Sequence, residues 1–204
     1  DRQSRLLGVL QDSLDQLLGP TTLIDLAGFS FGGMTAALWL EAYPQDAQQL
    51  VLVGAPGMGF ALPERIPLKG WRHLPTPQAQ AQVHRHNLMA LMLQTPEALD
   101  DVALSLHTAN VQRDRMQRRR LSSTDIVAQV LPKLQVPVSA IYGEHDALYR
   151  GRLPELQAAM QGCSQHWGQW HTVPGAGHWV QYEAAEPFDG GKAAVLKGGQ
   201  KMVI

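Results

Sequence analysis

The segment Gly28-Phe29-Ser30-Phe31-Gly32 constrains this chain more than any other stretch. It fits the pattern G-x-S-x-G and lies between an apolar run, Thr22–Ala27, and a run of helical character, Met34–Ala42. A serine on a tight strand-to-helix turn has a strained backbone, which pushes its hydroxyl out above the sheet. Glycines two positions before and after the serine leave out Cβ atoms that would clash in the turn. The pattern therefore predicts Ser30 as a nucleophile, with the Phe31 N–H as an oxyanion donor.

Strand and helix signals alternate on both sides of this segment. The run Leu50–Val53 is apolar throughout, which is typical of a parallel strand buried on both faces. Further strands are predicted at Val138–Tyr142 and Gln169–Val173, and helices at Ser4–Leu18 and Pro154–Met160. The alternation predicts an α/β fold in which a mainly parallel sheet is flanked by helices.

The alternation stops between Gly57 and Gln129. No buried strand is visible there, whereas Met89–Leu93 and Val102–Leu106 have helical character. We interpret residues 57–129 as a helical cap insertion, and residues 1–56 and 130–204 as the core domain. A last helix is expected to begin at Glu183 and to be broken at Asp189-Gly190-Gly191. The final stretch, Gly190–Ile204, shows no helical periodicity.

Composition excludes several function classes. The formal net charge of the 204 residues is -1, so neither a nucleic acid nor an anionic membrane is indicated as a partner. No apolar run approaches the roughly 18 residues that span a bilayer. The single cysteine, Cys163, rules out an internal disulfide framework and suits a cytoplasmic protein. Five arginines cluster in the insertion, where a solvated helix face is the ordinary interpretation: Arg113, Arg115, Arg118, Arg119 and Arg120.

A serine nucleophile needs a base, and the base needs an orienting acid. In enzymes whose nucleophilic serine lies on such a strand-to-helix turn, the chain order is serine, acid, histidine, and each of these residues follows a strand. Asp146 follows the predicted strand Val138–Tyr142, and His178 follows the last predicted strand. Order, spacing and position at strand ends therefore predict Asp146 as the acid and His178 as the general base.

The alternatives are weaker on position. Glu144 could be the acid but comes early in the turn, and His145 follows the wrong strand for the base. His171 lies inside the last strand and is expected to pack. Four further histidines lie in the insertion and are expected to face solvent: His73, His84, His86 and His107. No metal site is predicted, because no cysteine or carboxylate completes a ligand set among them.

These segments together resemble the α/β-hydrolase superfamily. Leu131–Val138 and Tyr142-Gly143-Glu144-His145-Asp146 resemble its entry to the acid-bearing strand, and Gly177–Glu183 is similar to the corresponding segment of meta-cleavage product hydrolases. That resemblance implies hydrolysis of a C–C bond in a ring-cleavage diketo acid, without a cofactor. It also implies substrate contacts from Trp179 and from one cap arginine, for which Arg113, Arg115 and Arg118 are the candidates.

One part of the superfamily pattern is absent. Its members carry about four strands before this point, with a loop that supplies the second oxyanion amide. The sequence is therefore expected to be a truncated version, in which Leu23–Ala27 becomes an edge strand prone to aggregation.

The preferred hypothesis is a serine hydrolase acting on a small-molecule carbonyl substrate, either an ester or a diketo acid. A non-catalytic hydrolase-like remnant that only binds a ligand is the alternative, and a transferase using the same three residues is a third. The sequence leaves a homodimer open.

Overall fold

The computed structural model of the chain describes residues 2–20, 22–61, 66–114, 123–195 and 202–203. Its centre is a parallel sheet with the strand order β4-β3-β2-β1-β5. The strands are β1 (Ile24–Phe29), β2 (Ala47–Val53), β3 (Val138–Gly143), β4 (Trp167–Val173) and β5 (Met202–Val203). The predicted fold class is thus confirmed, as is each of the four predicted strands.

The helices follow the predicted alternation in the core and form a group of their own in the insertion. They are α1 (Arg2–Leu18), α2 (Phe31–Ala42), α3 (Pro77–Asn87), α4 (Asp101–Arg113), α5 (Ile126–Val130), α6 (Leu153–Cys163), α7 (Val180–Glu183) and α8 (Ala185–Val195). A π-helical turn, Leu88–Met92, extends α3, and short 3₁₀ turns lie at Pro96–Ala98 and Leu131–Lys133.

Side chains of β2 alternate between two cores, as the two-residue period of a strand requires. Leu50 and Leu52 belong to the larger core, with α1, α2, α5 and α6. Val51 and Val53 belong to the smaller core on the opposite face, where α8 packs. This two-sided burial explains why Leu50–Val53 is continuously apolar.

The predicted cap contains α3, the π-helical turn and α4, whose apolar side chains form a small separate cluster. Leu88, Leu93 and Ala103 are its buried members. At the end of the insertion, Val127 and Val130 of α5 instead pack into the larger core beside α2. The domain boundaries themselves stay a prediction.

The expected break in the last helix is wrong, and the expectation that Leu23–Ala27 forms an edge strand is wrong in part. Helix α8 continues through Gly190 and Gly191, because it packs on β4 and Gly191 lies against the His171 ring, where a Cβ would clash. Strand β1 is not an open edge throughout, since β5 pairs with it at Asp25 and Leu26.

Candidate active site

Ser30 stands on the tight turn between β1 and α2. Its backbone has φ 52° and ψ -121°, and it is the single non-glycine residue with positive φ in the described part of the chain. Such a conformation costs about 1–3 kcal/mol and persists only where neighbouring contacts enforce it. The Ser30 N–H donates to the Val53 carbonyl at 2.8 Å, which fixes the turn above the sheet.

The positions in the turn where a Cβ would clash differ from those that the sequence predicts. A Cβ on Gly28 would lie 2.6 Å from the Gly33 Cα, and one on Gly33 would lie 2.6 Å from the Gly28 carbonyl oxygen. Around Gly32 no such contact exists within 4 Å. The expected steric need for glycine at position 32 is therefore wrong, and Gly33 makes the close approach between helix and strand.

Ser30, His178 and Asp146 form one hydrogen-bonded chain. The His178 Nε2 lies 2.9 Å from the Ser30 Oγ, and the His178 Nδ1 lies 2.8 Å from the Asp146 Oδ2. Because an ionised carboxylate only accepts, Nδ1 carries the proton and Nε2 is left to accept from the serine hydroxyl. The Asp146 and His178 side chains are 0% and 2% exposed, so bulk water does not compete for the bond between them.

The loops after β3 and β4 bring Asp146 and His178 together. The His145 N–H donates to the Ala176 carbonyl at 2.8 Å, and a Cβ on Gly143 would clash with the Gly177 carbonyl. Within its own loop, the Asp146 Oδ1 accepts from the Leu148 N–H at 2.9 Å, which fixes the carboxylate.

Glu144, the alternative acid, is placed elsewhere. Its carboxylate accepts from the Gly175 N–H at 2.9 Å, and its side chain is 52% exposed. It therefore fastens the loop before His178 without touching the imidazole.

Two contacts of His178 have no counterpart in the sequence prediction. Gly54, just after β2, has φ 55°, and a Cβ there would lie 3.2 Å from the His178 Nδ1 and 3.3 Å from the Asp146 Oδ2. The Phe29 ring packs on the imidazole with a centroid distance of 5.1 Å. A glycine directly after a predicted strand was the signal for the first contact.

A cavity of about 730 Å³ opens over Ser30 and His178. This size falls in the range of ordinary small-molecule sites. Its walls are mostly apolar, and they include side chains from both the core and the cap: Phe29, Phe31, Met58, Phe60, Leu91 and Met92. A small apolar molecule with one polar group at Ser30 fits such a lining.

Two buried tyrosines support the cavity floor. The hydroxyls of Tyr142 and Tyr149 donate to the Ala55 carbonyl at 2.8 and 3.0 Å. Burial raises the pKa of both phenols, and the Asp146 carboxylate raises each further. Both tyrosines therefore stay neutral donors, and they hold the loop that follows Gly54.

The residues expected to contact substrate lie in different places. The Trp179 ring stacks on Tyr182 at 4.5 Å and packs on the small cap cluster, and it does not line the cavity among the described residues. Arg113 is exposed on the last turn of α4. Arg115 and Arg118 lie outside the described residues. The substrate contacts stay a prediction.

The histidines of the insertion are not all solvent-facing. His84 is 1% exposed and packs between Trp71 and His107, with ring centroids 4.9 and 5.3 Å away. The expectation for His84 is wrong, because its helix face turns towards α4. Within the described ranges, no group of three or more His, Cys, Asp or Glu side chains could hold a metal ion. No described helix is long and apolar enough to cross a bilayer.

Comparison with known proteins agrees with this fold. Residues 10–185 match the family model of the alpha/beta hydrolase fold, so the chain belongs to that family. It is 27% identical over 172 residues to a 2-hydroxy-6-oxo-6-phenylhexa-2,4-dienoate hydrolase of Burkholderia cepacia. It is equally similar over the same length to a 2-hydroxy-6-oxononadienedioate/2-hydroxy-6-oxononatrienedioate hydrolase of Comamonas testosteroni. The match covers 80% of this chain in both cases, and the chain spans 59% of the length of each relative.

Solved structures show the same architecture. A meta-cleavage product hydrolase from Pseudomonas fluorescens superposes with a TM-score of 0.70 at 18% identity, over 92% of this chain and 68% of its own. A carboxylesterase from Bacillus subtilis gives 0.68 at 19% identity, over 97% and 67%. The two solved structures show that this chain shares their fold.

Proposed function

We propose that this chain carries the catalytic residues of a serine hydrolase that acts on a carbonyl group of a small apolar molecule. The observation that carries the proposal is the Ser30–His178–Asp146 hydrogen-bonded chain, in which Ser30 and His178 line the cavity and Asp146 is buried behind them. The family and its hydrolase relatives support the reaction class. No cofactor is part of the proposal.

Each side chain has a defined step. His178 Nε2 takes the Ser30 hydroxyl proton while Oγ attacks the carbonyl carbon, and Asp146 stabilises the imidazolium that forms. The Phe31 N–H lies in the first turn of α2, where backbone amides point out of the helix towards a developing oxyanion. The imidazolium then returns its proton to the leaving group, and water enters for the second half-reaction.

Two substrate classes remain, and different observations favour them. The apolar cavity wall favours esters with an aryl or alkyl acyl group. The names of the relatives, which are hydrolases of 2-hydroxy-6-oxo acids, favour a diketo acid. For that substrate, the resemblance to meta-cleavage product hydrolases implies cleavage at a C–C bond. A carboxylate substrate needs a cation, for which the arginines at 113, 115 and 118 are the candidates because guanidinium binds carboxylate in bidentate fashion.

The nucleophile is tested with a fluorophosphonate probe and p-nitrophenyl esters. Labelling mapped to Ser30, and a loss of several orders of magnitude in kcat for Ser30→Ala and His178→Ala, are expected. For Asp146→Asn, kcat should fall about 10⁴-fold. For the matched control Glu144→Gln, kcat should remain near that of the wild type. Labelling at another residue would contradict the assignment.

The substrate class is decided by a panel that contains neutral esters and a ring-cleavage diketo acid. If a cap arginine binds the carboxylate, its replacement by glutamine should raise KM for the acid and leave KM for neutral esters unchanged. Efficient acyl transfer to added alcohol would favour the transferase. Ligand binding with neither labelling nor turnover would favour the non-catalytic remnant.

A further inference from the structure

Glu183, the last residue of α7, bridges the cap and the loop that carries the base. Its Oε1 accepts three hydrogen bonds from the cap, from the Gln94 N–H at 2.8 Å and from the Thr95 N–H and Oγ1 at 2.5 and 2.8 Å. Its Oε2 accepts from the Gly177 N–H at 2.7 Å. One half-buried carboxylate therefore satisfies four donors on two segments that are more than 80 residues apart in the sequence.

Both segments border the proposed reaction site. Gly177 directly precedes His178, and Gln94 closely follows Leu91 and Met92, which line the cavity. The two segments also touch, since a Cβ on Gly177 would lie 2.9 Å from the Gln94 backbone nitrogen. The Trp179 N–H donates to the Met92 carbonyl at 2.7 Å, which adds a second link between them.

We infer that Glu183 is a positioning residue that couples the placement of His178 to the placement of the cap wall. The catalytic part of this inference rests on the proposed hydrolase function, and the coupling itself does not. Through Oε2 the carboxylate fixes the backbone next to the base, and through Oε1 it fixes the end of the cavity wall. Charge-assisted bonds to backbone N–H groups are the stronger kind, which suits this task.

Glutamine at position 183 is the sharpest substitution. Its side chain has nearly the same shape but offers one acceptor oxygen and one NH₂ donor. In either orientation of the amide, the NH₂ group faces an N–H donor, of Gly177 or of the cap. Glu186→Gln is the matched control, because Glu186 is an exposed carboxylate on the next helix, α8.

Hydrogen–deuterium exchange tests the coupling and does not depend on enzymatic turnover. In Glu183→Gln, peptides containing Gln94 and Thr95 and peptides containing Gly177 should both exchange at least about tenfold faster than in the wild type. Thr95→Val, which removes only one donor, should speed exchange on both sides by a smaller factor and serves if the glutamine variant does not fold. Exchange unchanged, or faster on one side alone, would overturn the inference.

Ester kinetics test the positioning of the base. For Glu183→Gln, kcat per fluorophosphonate-labelled site should fall about ten- to a hundredfold, since small misplacement of a catalytic group has effects of this size. Thr95→Val should raise KM more than it lowers kcat, and Glu186→Gln should match the wild type. An unchanged kcat per labelled site in Glu183→Gln overturns the positioning role. A wild-type protein that neither labels nor turns over refutes the proposed function instead, and the exchange measurement still decides the coupling.

Discussion

At the scale of single residues, backbone conformation and close approach position the candidate site as much as side-chain chemistry does. Ser30 adopts a strained φ of 52°, and Gly54 a φ of 55°, on neighbouring turns of the sheet. The Ser30 hydroxyl is hydrogen-bonded to His178, and the space that a Gly54 side chain would occupy lies against the same imidazole. Replacement of either residue therefore changes the site itself.

We expect Gly54→Ala to reduce both activity and stability. The added methyl would lie 3.2 Å from the imidazole and would strain a left-handed backbone, so kcat should fall about ten- to a hundredfold and the free energy of unfolding by about 1–3 kcal/mol. Ester kinetics and thermal unfolding measure the two effects.

Gly151→Ala is the matched control for Gly54→Ala. Its φ is 72°, yet nothing lies within 4 Å of the position of its Cβ. It should therefore show the loss of stability that comes from backbone strain and keep its kcat. Equal kinetic effects in the two variants would mean that contact with His178 is not the cause.

The three side chains of the candidate site could be predicted from the sequence, because they follow a rule of order and spacing. Ser30 and Asp146 come just after strands whose apolar runs are visible in the sequence, and His178 follows the last predicted strand, Gln169–Val173. Glu183 and Gly54 were missed, because their roles depend on hydrogen bonds and contacts between segments far apart in the chain. No periodic pattern records such contacts.

At the scale of elements, helix α8 shows why local signals mislead. Two successive glycines inside a helix cost roughly 1 kcal/mol each relative to alanine, which predicts a break. The structure gives them different environments. Gly191 faces the His171 ring on β4, whereas nothing lies within 4 Å of a Cβ on Gly190.

These neighbouring glycines should respond to alanine in opposite ways. Gly190→Ala should raise the free energy of unfolding by about 0.4–1 kcal/mol, through helix propensity and a less flexible unfolded chain. Gly191→Ala should lower it by about 1–3 kcal/mol, since its methyl would overlap the imidazole. Urea denaturation of both variants measures the difference. Stabilisation of both would contradict the packing of α8 on His171.

The packing of α3 against α4 makes stability depend on pH. Burial, and then the charge of His84, lower the pKa of His107 from 6.5 to about 4. The unfolded chain therefore binds more protons than the folded chain between these values. The contribution of the neutral His107 is fully present above about pH 6.5 and is lost as the pH falls through about 4.

His107→Gln should flatten this dependence. The fall in Tm between pH 7 and pH 4.5 should be smaller in the variant than in the wild type, because one proton-linked cost is removed. His86→Gln is the control, since His86 is only half-buried on α3 and its Nε2 contacts the Pro67 carbonyl. A parallel fall in Tm in all three proteins would assign the effect to other groups.

At the scale of the whole molecule, the parallel sheet gathers the site. Ser30, Gly54, Asp146 and His178 come after β1, β2, β3 and β4, and the carboxyl ends of parallel strands lie at one edge of a sheet. Residues up to 148 positions apart thereby come within hydrogen-bond distance. The sequence predicts this convergence once the strands are recognised, whereas the pairing of β5 with β1 carries no local signal.

Strand β5 suggests the last test, which concerns the edge of the sheet. Met202 and Val203 pair with Asp25 and Leu26, so β5 covers part of the side of β1 that faces away from β2. In the described part of the chain no other strand pairs with β1 on that side, and β1 is a largely buried strand. An uncovered apolar edge is a template for pairing between chains. A variant that ends at Val195 should therefore self-associate at lower concentration and unfold at a lower Tm than the 204-residue chain. Light scattering over a concentration series and thermal unfolding measure both effects.

Val203→Pro is a milder variant, because it removes one N–H donor from β5. It should also increase self-association and lower Tm, but by smaller amounts. If the shortened variant stays monomeric with an unchanged Tm, the pairing of β5 with β1 does not protect this edge.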